Sequence, residues 1–399
     1  MNASVQVAQF DNANVAIGGS LLALDTSTLN GGDLFKASGQ NTITSGDDFI
    51  TVDGGSLNAS RIFSLDSDAN FTLTVDNGGI LTLTNNSNVT FDFGFGPGIR
   101  SITTESTFVS VDNSQLEMGL DRNGVLARLS ESFVVNSGGV LEVNNSGEVS
   151  VSSIIRGAGT TLSSGILNGT AIVVNNQSSV IANQAVKLDN LIPATGLILT
   201  VNNGGVLSLS NGSDYVDAQL VAASSPLVEL VQSSMFTGSG FLDVNSGSTL
   251  VVPNDALVSL DASDLFVNGS LVNVTGANSV VSVTGAIFAL QNGSTLEING
   301  GALVEANAGG VFNLVGPLGQ FSGGTSAAPN ILSVTNNVCA SSACQMPFAA
   351  FQDLRVAGPV NIQPGFNPLQ GFEPSGNQLN ISENAAVLVN TGGTINLSP

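Results

Sequence analysis

The chain of 399 residues contains no histidine and no tryptophan, one tyrosine, two cysteines and only eight Lys plus Arg. Without histidine the Ser-His-Asp mechanism has no base for the serine proton, and two thiols without an imidazole make a poor zinc set. No run of about 18 uninterrupted apolar residues occurs, so no segment is patterned to cross a membrane as a helix. The eight bases stand against 30 Asp plus Glu, for a formal charge of −22. Such a field repels nucleic acid, anionic lipid and acidic polysaccharide, and no nucleic-acid partner is expected. Helical periodicity is nearly absent as well.

What the chain does contain is glycine (47), phenylalanine (20) and 42% apolar residues, arranged in a recurring motif. An alternating apolar run leads to Asn or Asp, then a small residue with Gly-Gly or Gly-Ser, then a second apolar run. It reads FITVDGGSL at 49–57, LTVDNGGILTL at 73–83, FVVNSGGVLEV at 133–143 and LTVNNGGVLSL at 199–209. Three more copies are FLDVNSGSTLVV at 241–252, LFVNGSLVNV at 265–274 and FALQNGSTLEI at 288–298. Taking Gly54, Gly78, Gly138, Gly204, Gly247, Gly269 and Gly293 as markers, the gaps are 24, 60, 66, 43, 22 and 24 residues. They approximate multiples of about 22, as expected of a solenoid with one short supersecondary unit per repeat.

Period-2 alternation, as in Leu73-Thr74-Val75, marks strands with one buried face. Asn-Gly and Gly-Gly steps tolerate positive φ and let the chain turn sharply. An Asn-Gly hairpin is the first alternative, but the repeat suits a coil of two or three short strands. Stacked coils bury what one coil cannot. The expectation is an all-β, right-handed parallel β-helix of about 22 residues per coil, with a β-sandwich array or propeller as alternatives. In domain terms it comprises a β-helix over 1–315, an insertion over 316–376, and a terminal coil over 377–399.

The insertion is where alternation gives way to Pro-rich sequence. Cys339 and Cys344 lie in it, either as a local disulfide or as a pair of free thiols. Phe348, Phe351, Phe366 and Phe372 make it unusually apolar, so it either packs on the solenoid flank or docks into another subunit. Gly324-Thr325-Ser326-Ala327-Ala328-Pro329 resembles the nucleophile segment of subtilisin-like proteases, yet it lacks a base and precedes a strand-like run. A serine-carboxyl variant would draw on Glu117 and Asp121, but its nucleophile would have to open a helix. Carboxylate pairs such as Asp214 with Asp217, or Asp261 with Asp264, stand close in sequence only. No enzymatic activity is expected, with a polysaccharide-processing β-helix enzyme as the least favoured alternative. No cofactor is expected either. Calcium is the one cation considered, on the acidic stretch Asp47, Asp48, Asp53, Asp66 and Asp68, although the nonapeptide of calcium-binding β-rolls is missing.

The repeated Val-(Asn/Asp)-(Asn/Ser)-Gly-Gly-(Val/Ile)-Leu turns, the Asn/Gly/Ser/Thr richness and the low Lys content resemble the β-solenoid surface proteins of bacteria. These are the filamentous-haemagglutinin-like adhesins and autotransporter passenger domains, and the likeness covers roughly residues 40–315 and 379–398. It implies secretion to the cell surface or beyond and adhesive or structural work, with cell-surface or glycan contact. The Asn-Pro secretion signatures and a C-terminal membrane barrel are not seen. Met1-Asn2-Ala3-Ser4-Val5 also shows no signal-peptide pattern, so either a signal has been removed from this sequence or export takes another route.

No amphipathic capping helix flanks the repeats, and bare end coils expose unpaired backbone and apolar core. The chain is therefore expected to be a subunit of an extracellular filament or surface fibre, polymerising with itself head to tail. Contact would run through uncapped end coils or an exchanged terminal strand. The interface would draw on Val5, Val7 and Phe10 at one end, Ile395 and Leu397 at the other, and the insertion phenylalanines. An adhesin fragment is the alternative.

Overall fold

The structure, a computed structural model, describes residues 6–335 apart from short segments, among them 93–98, 120–123, 194–198, 202–206 and 211–218. Beyond residue 335 it describes the backbone of strands only. The architecture is a right-handed parallel β-helix. Among the described residues there is no helix, and every strand pairing is parallel except Met346–Phe348 against Phe351–Ala357.

One coil shows how the repeat is built. The strands Asp264–Gly269, Val272–Thr275, Val280–Val283 and Phe288–Gln291 follow one another, and each stacks on its counterpart one coil away. The first belongs to a 12-stranded sheet and the second to a 13-stranded sheet; the third and fourth form two adjoining ladders. Four short strands with four corners need more chain than the sequence spacing suggested. Ile50 pairs with Leu81, Leu81 with Val109, Val109 with Leu141 and Ile172 with Leu207, advances of 31, 28, 32 and 35 residues.

The expected coil of about 22 residues is therefore corrected. The glycine motif recurs at three different corners. Gly54 and Gly247 lie between the second and third strands of a coil, Gly78 and Gly138 between the first and second, and Gly293 between the fourth and the next first. Gaps measured between unlike corners are fractions of a coil. Gly78 and Gly138 share a corner, and their separation of 60 residues spans two coils.

Alternation decides what fills the interior. Along the second strands the register stacks Leu22, Ile50, Leu81, Val109, Leu141, Ile172, Leu207, Leu242, Val272 and Val304 in one continuous column. From Ile50 onward its described members are buried. A parallel ladder puts like on like at about 4.8 Å, so each coil covers the apolar face of the one before it. Near the first coils the core is aromatic. Phe35 packs on Phe49, Phe63 and Phe10 with ring centroids 5.2, 5.6 and 6.5 Å apart.

The corners solve a second problem, the buried N–H groups where ladders break. Between the fourth and first strands the N–H of Ser233 donates to Oγ of Ser263 at 3.0 Å, and that of Ser294 to Oδ1 of Asn330 at 3.0 Å. All four residues are buried. The Gly-Gly corner needs both its glycines. Gly138 has φ +85°, and a Cβ on Gly139 would lie 1.9 Å from the Thr170 carbonyl oxygen of the next coil.

The ladder extends through the start of the segment expected to be an insertion. Gly319–Ser322 and Asn330–Thr335 pair with Phe288–Gln291 and Thr295–Gly300. After Thr335 the chain order and the spatial order part. Val387–Val389 lies between Val304–Asn307 and Phe351–Ala357, and Thr394–Ser398 lies between Val311–Val315 and Val360–Ile362. The last strands of the sequence thus fill a gap between two earlier passes.

Candidate functional site at the ends of the solenoid

A solenoid has two surfaces unlike its sides, namely its ends, where one row of backbone donors and acceptors has no next coil. Among the described residues Ala8–Asp11, Asn14–Ile17, Leu22–Asp25 and Thr28–Asn30 pair on one side only. The apolar residues here are covered on one side as well. Val7, Ala13, Val15, Leu21, Leu22, Leu24 and Leu29 are half-buried and packed against the core, whereas their counterparts one coil on, such as Ile50, Val52 and Leu57, are fully buried. The first coil therefore presents the cross-section of the core as a partly exposed apolar surface.

Of the residues expected there, Val7 is half-buried and its N–H donates to the Leu34 carbonyl at 2.8 Å. Phe10 turns inward, 7% exposed, against Phe35. Val5 lies outside the described residues. At the far end, Ile395 has Phe312 as register partner on one side and Val360 on the other, and Leu397 has Leu314 and Ile362. These two positions are internal to the ladder, because the pass at 351–362 lies beyond them. Phe348 ends the strand Met346–Phe348 and Phe351 opens Phe351–Ala357; Phe366, Phe372, Cys339 and Cys344 lie outside the described residues. Among the described residues the strands with an open edge at this end are Met346–Phe348, Val360–Ile362, Leu369–Gln370 and Asn377–Ile381. Sequence reasoning could not find them, since it assumed that spatial order follows chain order.

The side faces are polar. A shallow groove of about 350 Å³ is lined by Asn12, Asn14, Gln40, Asn41, Thr42 and Thr72. Another, of about 230 Å³, includes Thr90, Gln115, Glu117, Glu148 and Ser150, with Gln115 Nε2 donating to Glu148 at 3.1 Å. The acidic stretch has local work. Asp48 accepts from the Gly79 N–H at 2.7 Å and Asp53 accepts from Thr84 Oγ1 at 2.9 Å, each tying one coil to the next. Asp47 and Asp66 are exposed, and Asp68 lies outside the described residues. Among the described residues no group of three or more His, Cys, Asp and Glu is placed to hold a metal ion.

The motif around Ser326 forms an exposed turn closed by Thr325 N–H on the Ala328 carbonyl at 3.0 Å and by Ala328 N–H on Thr325 Oγ1 at 3.1 Å. It leads into a strand, as its sequence indicated. Asp261 accepts from Asn292 Nδ2 one coil on, at 2.6 Å; Asp121, Asp214 and Asp217 lie outside the described residues. No helix of the described residues is long and apolar enough to cross a membrane.

No protein-family model and no curated protein sequence matches the chain. A solved structure that it is similar to is the PL6-family polysaccharide lyase of Pseudopedobacter saltans, at 10% identity and a TM-score of 0.21, over 96% of this chain and 93% of that one. At that score the likeness carries nothing about individual residues here. One expectation is corrected: the chain was read as not an enzyme, and this match is to an enzyme.

Proposed function

We propose that this chain is a structural subunit of an extracellular filament or surface fibre, joined head to tail through the ends of its solenoid. The half-exposed apolar cross-section of the first coil carries the reading. The 12-stranded sheet and the ladders of the third and fourth strands are parallel throughout, so a second copy added by translation along the axis continues each of these with unchanged polarity, whereas the 13-stranded sheet ends on the antiparallel strand Met346–Phe348. Such a heterologous contact does not close and propagates as a fibre. The net charge of −22 keeps fibres apart sideways and favours growth along the axis. The low basic content and the Asn/Ser/Thr/Gly-rich surface support placement outside the cell.

A second route to the same polymer is favoured by the double pairing of Val387–Val389 and Thr394–Ser398. A segment held between two passes of its own chain can be replaced by the same segment of a neighbour, which is domain swapping.

Negative-stain electron microscopy of the native full chain, with and without reductant and chelator, tests the proposal. Filaments with an axial repeat on the order of 60 Å, one step of about 4.8 Å for each coil of the 12-stranded sheet, are the expected result. Substituting Leu22→Lys should abolish end-to-end stacking and leave single rods. Monodisperse rods of the unsubstituted chain under every condition would overturn the filament reading and leave an adhesin as the better one.

A further inference from the structure

In the sequence Thr42-Ile43-Thr44, Thr72-Leu73-Thr74 and Ser101-Ile102-Thr103 stand 30 and 29 residues apart, and the fold brings them onto one face. Thr42 pairs with Thr72 and Thr72 with Ser101, while Thr44 pairs with Thr74 and Thr74 with Thr103. Ile43, Leu73 and Ile102 are buried, so the hydroxyl residues on either side of each point away from the core. Thr42 is exposed and the other five are half-buried. None of the six hydroxyls has a hydrogen-bond partner among the described residues. Hydroxyls nearer the corners are engaged within the fold: Ser45 Oγ donates to the Gly19 carbonyl at 2.8 Å and Thr104 Oγ1 to the Ser106 carbonyl at 2.9 Å. The array is not a by-product of the repeat, because the Thr44 column continues with Val134 and Ile166 and, farther along, Phe236, Phe266 and Glu297. Charge is missing from it as well. The strands Gln40–Ser45 and Asn70–Val75 and residues 101–104 contain no ionisable side chain, and acidic residues begin only at the corner, with Asp76 and Glu105.

We infer that this two-column face of Thr42, Thr44, Thr72, Thr74, Ser101 and Thr103 binds the surface of ice. Threonine is stiff at χ1, so its hydroxyl and methyl recur from coil to coil and lose little freedom when a solid surface meets them. The rows lie about 4.8 Å apart along the axis and the columns about 6.6 Å apart along the strand, both close to oxygen repeats of the ice lattice. Every parallel β-helix has that spacing, and it is the chemistry of this face that chooses the ligand. A hydroxyl both donates and accepts, so an unengaged array of them can join a network of water molecules as one more row. A charged side chain would break that network, and none stands here. Small-molecule sites are concave, whereas these side chains stand on an open sheet face, beside a shallow groove whose Asn12, Asn14 and Gln40 are neutral too. Protein interfaces are anchored by aromatic or Arg side chains, and among the described residues these three coils place none outward on this sheet. The overall charge of −22 repels nucleic acid and anionic surfaces but not an uncharged solid. The face lies on the side of the rod and does not depend on the filament reading.

The test is an ice-recrystallisation assay with the full chain, together with its partition into slowly growing ice. Expected are ice grains that stay small and protein enriched in the ice over the remaining liquid. Thr44→Lys and Thr74→Lys should each raise the concentration needed by roughly tenfold or more, because an ammonium pressed against ice loses its hydration. Thr82→Lys, on the neighbouring sheet and outside the array, should leave the effect unchanged. Two array variants are used so that a folding defect in one, seen by circular dichroism, does not decide the outcome. Normal grain growth and exclusion of the unsubstituted chain from ice would overturn the inference, as would equal activity of the folded array variants. Retention on microcrystalline cellulose without any effect on ice would show a face for a neutral polysaccharide and would overturn it too.

Discussion

The N–H of Ser263 donates to Oγ of Ser294 at 3.1 Å, across 31 residues of sequence and one coil of the solenoid. Both residues are buried. The bond lies at a corner, where the strand ladder is interrupted and a backbone donor would otherwise be left inside the protein. Ser294 Oγ in turn donates to the Gln291 carbonyl at 2.6 Å, so one hydroxyl satisfies a donor of the neighbouring coil and an acceptor of its own.

Replacing Ser294 with Ala removes the acceptor from the Ser263 N–H and the donor from the Gln291 carbonyl. The expected loss is about 1–3 kcal/mol, the cost of unsatisfied buried polar groups. A lower urea midpoint is the readout, and a midpoint equal to that of the parent would show that water replaces the hydroxyl.

Gly139→Ala should be far more damaging than its single methyl suggests. The added Cβ would meet the Thr170 carbonyl oxygen at 1.9 Å, and backbone atoms cannot retreat without breaking the coil contact. Gly18 has nothing within 4 Å of such a Cβ, so Gly18→Ala is the matched control, expected to be neutral or stabilising by about 0.4–1 kcal/mol. Thermal midpoints of the pair separate close approach from chain entropy.

In the first coils, Phe35→Ala opens a cavity beneath Phe10, Phe49 and Phe63. Phe35 is fully buried, and such truncations cost about 3–5 kcal/mol. Because solenoid stability is carried by neighbouring coils, hydrogen exchange should accelerate in residues 8–75 first. Uniform acceleration along the whole chain would show that the rod unfolds as one unit.

Asp243 supplies a pH dependence. Burial pushes its carboxyl above the ordinary value of 3.8, the hydrogen bond from Asn273 Nδ2 opposes the rise, and the charge of Glu305 adds to it. The folded chain thus holds this proton more tightly than the unfolded one. The contribution to stability is complete below about pH 3.8 and is lost as pH rises through the raised value. Asp243→Asn should stabilise the protein at neutral pH, with the gain shrinking toward about pH 3.5. A gain independent of pH would show that the charge is not its source.

By itself the sequence determined the local structure: short strands, one apolar face per strand, sharp corners at Asn-Gly and Gly-Gly, and the need to stack. These follow from period-2 alternation and from backbone conformations that few residues adopt, and both are written in neighbouring residues such as Leu73-Thr74-Val75 and Gly138-Gly139. The coil length was not legible, because the turn chemistry at Gly54 and at Gly78 is alike although the corners differ, and only the register between Ile50 and Leu81 tells them apart. The same holds for the place of Ile395 between Phe312 and Val360. Which residues meet across a parallel ladder depends on the chain length consumed by every turn between them, a sum over the whole coil that no local pattern records. That sum is settled when the coils pack, and the tertiary structure alone decided it.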